Sequence, residues 1–193
     1  MMLPNLSTKL LACASLAAAL PSSNPYPQKN YTETEILGAL AGTYTLINTT
    51  SALNGVSIPD AAYGTAPIGI LIYTSTGWMS ATITATEPEL RPPQLIFPFQ
   101  ANDTDADWAL VGKHSIGYAG PLRLSDAIPA NLTHGQVFHG PLTVANVPSW
   151  KGQNQRRNFT VIEEGGETLL RIGSERGGGY TGVLWWRRVA KET

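Results

Sequence analysis

The chain has 193 residues, 14% of them charged, against roughly 25% in an average soluble domain. Lys and Arg number 13 and Asp and Glu 14, and the resulting charge of −1 offers no electrostatic footing for nucleic acid or an anionic membrane surface. Hydrophobic residues at 42% suffice for a core, and 19 Gly with 14 Pro favour a turn-rich β protein over a helical bundle; collagen, a disulfide scaffold and global disorder are excluded.

Lys9 followed by the apolar run Leu10–Leu20 has the length of a signal-peptide core and is too short to span a bilayer. Ala17, Ala18 and Ala19 offer cleavage positions, and Pro21 ends any helix. The expected organisation is a signal peptide over 1–20, a linker over 21–31 and one β-barrel domain over 32–193, in a protein that is secreted or held in the secretory lumen. Cys13, the sole cysteine, lies inside the apolar run, so the processed chain has no disulfide, thiol nucleophile or Cys-based metal site. Sequons at Asn30, Asn48, Asn102, Asn131 and Asn158 agree with secretion and mark expected glycosylation sites. No apolar tail follows Trp186, and stable membrane insertion is not expected.

In chain order, Thr32-Glu-Thr-Glu35 forms a capping box that opens a short helix through Ile36, Leu37 and Leu40 and ends near Gly42. The period then changes to two. Thr43–Asn48 is a first strand, 51–67 a polar loop, and Ile68–Thr74 a strongly apolar strand. Ser75-Thr-Gly77 is a tight turn, and Trp78–Thr84 returns as the partner strand. Residues 87–107, with four prolines, form an irregular excursion; residues 108–124 are apolar but broken by three glycines. Further strands are expected over 136–147, 157–163, 168–173 and 181–189, so the chain reads as an all-β antiparallel barrel or sandwich with a short N-terminal helix.

Gly42-Thr-Tyr44 resembles the Gly-x-Trp opening of lipocalins, with Tyr in place of Trp, and Leu184-Trp-Trp-Arg-Arg188 fits their last strand. Pro67–Ala81, Gly117–Gly120, Val137-Phe-His139 and 147–157 resemble the lipocalin-like domain family of short microbial and fungal proteins, over roughly 37–189. The resemblance implies a calycin-type barrel in which Arg187 or Arg188 packs across Tyr44. It also implies a setting in fungal secondary metabolism, where some related barrels act on polyketide or terpenoid intermediates.

A barrel of about eight strands has room for its own side chains or one small ligand. Ser80, Thr82 and Thr84 alternate with Met79, Ala81 and Ile83, and either face can point inward. Tyr73, Trp78, Phe138 and Trp150 are expected to line or fill the interior. His139, inside an apolar strand, is the leading acid–base candidate, the alternative being a hydrogen-bonded structural histidine. His114 and Tyr118, four apart, share a face if both lie on one strand. Gln155 and Arg157, with Arg156, suit a carbonyl or carboxylate at the barrel mouth.

Asp103, Asp105 and Asp107 lack the Gly and terminal Glu of a calcium loop, and no cofactor fingerprint or metal spacing is present. Three readings follow. The first is a cofactor-independent cyclase or isomerase of a hydrophobic small molecule. The second is a secreted carrier of such a molecule, and the third a protein-binding module with a filled core. A buried polar cluster in an open cavity would favour the first.

Overall fold

The computed structural model describes residues 30–190. The expected signal peptide therefore lies outside the described residues, as does the linker apart from Asn30 and Tyr31.

Helix α1 (Glu33–Leu40) starts at the capping box: Thr32 accepts from the Glu35 N–H, and the Glu35 carboxylate accepts from the Thr32 N–H. Its apolar residues Ile36, Leu37 and Leu40 are buried and plug one end of a barrel. The strands are β1 (Gly42–Leu53), β2 (Val56–Ile58), β3 (Ile68–Tyr73), β4 (Trp78–Thr84), β5 (Ser115–Leu124), β6 (His134–His139), β7 (Val144–Ala145), β8 (Gln155–Glu164), β9 (Glu167–Gly177) and β10 (Tyr180–Arg188). Eight of them, β1, β3, β4, β5, β6, β8, β9 and β10, pair antiparallel in chain order, and β10 closes on β1. The fold is the expected closed antiparallel barrel with a preceding short helix. Closure removes the unpaired edges that an open sheet would expose.

The β3–β4 hairpin stands as expected. Gly77 sits at φ +79°, a left-handed conformation that β-branched residues avoid, and Thr74 and Trp78 close the turn. The register settles which face is inside. Leu71 and Tyr73 of β3 and Met79, Ala81 and Ile83 of β4 are buried, so the Ser/Thr row of β4 faces outward.

Three expectations are corrected. The first strand runs on to Leu53 with a bulge between Leu46 and Asn48, and part of the expected 51–67 loop is the hairpin strand β2. The expected strand 136–147 breaks at Gly140-Pro141, because proline cannot donate to a ladder and Gly140 stands at φ +131°. A second helix, α2 (Asp105–Lys113), spans the end of the irregular excursion and the first residues of the 108–124 stretch, capped by the Thr104 hydroxyl accepting from the Asp107 N–H. It buries no residue, so no amphipathic period announces it.

The plugged end is tied to the last strand. The Arg188 guanidinium lies 5.2 Å from the Tyr44 ring centroid and donates from Nη2 to the Tyr44 hydroxyl (2.6 Å) and to the Ala39 carbonyl (2.6 Å). Tyr44 in turn donates to the Leu40 carbonyl at 2.7 Å. Arg188 is thus the residue that crosses the opening aromatic. Arg187, one position earlier, faces out and pairs with Glu167.

Candidate active site

Away from that floor, the barrel interior is not filled. A cavity of about 340 Å³ opens between the inward faces of β3–β5 and β8–β10, toward the lower end of the roughly 300–1,000 Å³ usual for ligand pockets. Leu71, Ile83, Ile116, Ile172 and Leu184 give it apolar walls. Tyr63, Tyr118, His139, Gln155 and Arg157 bring polar groups into it, and Trp150 and Trp186 border it.

A column of rings runs from the floor to this cavity. Tyr44 and Tyr73 meet edge-on at 6.2 Å between centroids, Tyr73 and His139 at 5.5 Å, His139 and Tyr118 at 6.0 Å, and Tyr118 and Trp150 at 5.5 Å. Hydrogen bonds thread its middle. The Tyr73 hydroxyl stands 2.7 Å from His139 Nε2, and the Tyr118 hydroxyl 3.5 Å from Nδ1. Strand alternation explains the convergence: Tyr73 on β3, Tyr118 on β5 and His139 on β6 all face inward, while the one-turn 3₁₀ helix Pro148–Trp150 swings Trp150 over Tyr118.

The electrostatics fix the protonation states. Burial pushes the His139 pKa well below its usual value, and the Arg157 charge pushes it further down, so the ring is neutral. Burial pushes the Tyr73 phenol well above its usual range, so it keeps its proton. Tyr73 has His139 as its hydrogen-bond partner. With Tyr73 donating to Nε2, its own buried O–H is satisfied; the imidazole proton then sits on Nδ1 and points at the Tyr118 oxygen. At the rim, burial raises the Tyr63 phenol to about 12.

Tyr73, Tyr118, His139, Trp150, Gln155 and Arg157 therefore gather at one place, as the sequence suggested, with Tyr73 beneath the cavity rather than on its wall. Four candidates do not. Trp78 is 49% exposed and Ser80 shares its outward face, because the buried row of β4 is Met79, Ala81 and Ile83. Phe138 alternates with His139 and so points out of the barrel, under the Arg156 guanidinium at 5.9 Å. His114 caps the C-terminus of α2 instead of lying on β5, and its Nδ1 bonds the Ala62 carbonyl, so it does not share a face with Tyr118. Sequence reading missed Tyr63, which sits in a loop with no periodic signal, and Ile116, obscured by the helix–strand junction before it.

Among the described residues, no three His, Cys, Asp or Glu side chains come together as a metal site, and no helix is long and apolar enough to cross a membrane. Of the alternating acids, Asp103 accepts from the Trp108 indole and Asp107 from Thr104. The sequons at Asn48, Asn102 and Asn158 are exposed. A lipocalin-like barrel with an apolar-walled cavity suits a small hydrophobic ligand.

Residues 41–189 match the model of a family described as a lipocalin-like domain. No curated protein and no solved structure matches the chain.

Proposed function

We propose, from the premise that this chain belongs to the lipocalin-like domain family, that it is a cofactor-independent isomerase or cyclase of a small hydrophobic molecule. The observation that carries this reading is the Tyr73–His139–Tyr118 chain, a buried polar relay ending on a phenol in an open cavity.

In this mechanism Tyr118 is the catalytic residue. Its O–H gives a proton to one atom of the bound molecule, and the resulting phenolate removes a proton from another. The ligand is isomerised with no change of mass, and Tyr118 returns to its starting state. His139 remains neutral; its Nδ1–H stabilises the phenolate in passing. The 3.5 Å separation shortens as charge develops on the oxygen. Tyr73 is a positioning residue that fixes the imidazole tautomer, the part played by the third member of a nucleophilic triad. The apolar walls hold the ligand folded, which lowers the entropic part of the barrier to ring closure. The family resemblance supports a polyketide- or terpenoid-like intermediate of fungal secondary metabolism as the substrate.

The test is incubation of the purified protein with a metabolite extract of its host in H₂O and in D₂O, followed by mass spectrometry. An isomer of equal mass that gains one deuterium in D₂O is expected, with Tyr118→Phe slowing its formation about 10²–10⁴-fold. A metabolite that binds and leaves unchanged would make the protein a carrier.

A further inference from the structure

We infer that the ligand of this cavity carries a carboxylate, seated on the Arg157 guanidinium. The inference rests on the cavity being the ligand site, as proposed above, and not on turnover.

Arg157 projects inward from β8 and is only 9% exposed. Of its five N–H donors, Nη1 is used locally, donating to the Arg156 carbonyl at 2.7 Å. The ion pairs among the described residues join Arg176 to Asp60 and Arg187 to Glu167; Arg157 is in neither. The carboxylate on the cavity border, Glu175, is exposed and makes no ion pair with it. The Trp186 ring on β10 packs beside the cavity, buried, with its Nε1 closed off from it. Leaving a buried charged donor without an acceptor is costly. The Arg157 guanidinium borders the cavity with donors left to spare.

The remaining surroundings define what answers them. His139 is neutral and adds no second cation, and the Arg157 charge is one cause of that neutrality. Arg176, the other guanidinium on the lining, is paired with Asp60, which leaves Arg157 as the free cation there among the described residues; one guanidinium suits a monoanion, and its planar fork matches two carboxylate oxygens. Leu71, Ile83, Ile172 and Leu184 give the cavity an apolar wall for the remainder of the ligand. A wholly neutral ligand would expel water from Arg157 without replacing it. The ligand is therefore an apolar body with one acidic head.

The test uses 4-phenylbutyrate, 4-phenylbutan-1-ol and methyl 4-phenylbutyrate as probes of one skeleton, titrated into the protein at pH 7.5 by calorimetry and tryptophan fluorescence. The acid is expected to bind at least tenfold more tightly than the alcohol or ester. Arg157→Met keeps the apolar stem and should reduce the acid to the affinity of the alcohol, with alcohol binding itself reporting an intact fold. Should that variant not fold, Arg157→Lys keeps the charge but loses the planar fork and should weaken the acid at least about fivefold, with alcohol binding unchanged. Equal affinity of acid and alcohol for the unaltered protein overturns the inference, as does an acid preference that survives Arg157→Met. If none of the probes binds, the cavity reading falls with it. Acid preference without any isomerisation leaves this inference standing and removes only the enzyme.

Discussion

Tyr73 and His139, 66 positions apart in the chain, meet at 2.7 Å inside the barrel, and both are almost wholly buried. Burial, helped by the Arg157 charge, leaves His139 neutral, which ties stability to pH. Its folded pKa lies below 6.5 while that of the unfolded chain is near 6.5. Between these two values the unfolded state binds the extra proton, so stability rises with pH across that window. Above about 6.5 the contribution is fully present; it is lost as pH falls toward the folded pKa.

Urea denaturation at pH 7.5 and pH 5.0 measures this. The native protein should lose stability on acidification by up to about 1.4 kcal/mol per pH unit from this group. His139→Gln should lose less over the same interval, while being less stable at pH 7.5. A variant with the same pH slope as the parent would mean that His139 is protonated in the folded state.

Arg188 and Tyr44 carry the second prediction. Arg188 makes charge-assisted hydrogen bonds to the Tyr44 hydroxyl and the Ala39 carbonyl and stacks on the ring. Arg188→Met should cost about 2–3 kcal/mol and lower Tm by several degrees. Arg187→Met removes a half-exposed ion pair and should cost less than about 1 kcal/mol. Thermal denaturation of the two neighbours separates a floor clamp from a surface pair.

Trp78 and Trp150 make a third, paired prediction. Trp78 is half exposed on the outer wall, whereas Trp150 packs on Tyr118 at the cavity. Trp150→Ala should weaken 4-phenylbutyrate binding about tenfold, since the ring excludes water there. Trp78→Ala should leave that affinity within about twofold. The reverse order in a fluorescence titration would place the ligand outside the barrel.

Much of this arrangement was legible in the residues, and the exceptions have physical reasons. The capping box at Thr32 and the hairpin turn at Gly77 are local signals, and both stand. Alternation on β4 divides its residues into two faces but does not say which faces in; Met79, Ala81 and Ile83 won that place over Trp78. On β6, hydrophobicity alone favours Phe138 for the interior, yet the neighbouring His139 is the buried one, because Tyr73 and Tyr118 satisfy its nitrogens. Helix α2 escaped because it packs on the surface and follows four prolines. Arg188 and Trp186 share a face two residues apart, but only the pairing with β1 shows that face to be inward.

The last prediction concerns the sequons, whose use depends on the proposed entry into the secretory pathway. Asn48 lies on the outer side of the β1 bulge, Asn102 in the exposed excursion and Asn158 on the outer face of β8. Asn131 differs. Its Oδ1 accepts from the Thr133 N–H, the Thr133 hydroxyl and the His134 N–H, and its Nδ2 lies 3.2 Å from His134 Nε2. That local turn forms within four residues and competes with an acceptor conformation before folding is complete. Expression of the full 193-residue chain in a eukaryotic secretory host, followed by glycopeptide mass spectrometry, should show a cleaved N-terminus near residue 20. Glycans are expected at Asn48, Asn102 and Asn158, with lower occupancy at Asn131. Thr133→Ser keeps the sequon while weakening the turn's hydroxyl contact, but serine sequons are also poorer acceptors, so the cleaner variant is His134→Ala. It removes the imidazole from Asn131 Nδ2 and should raise occupancy there. An intact leader and bare asparagines at all of these positions would overturn the secretory assignment.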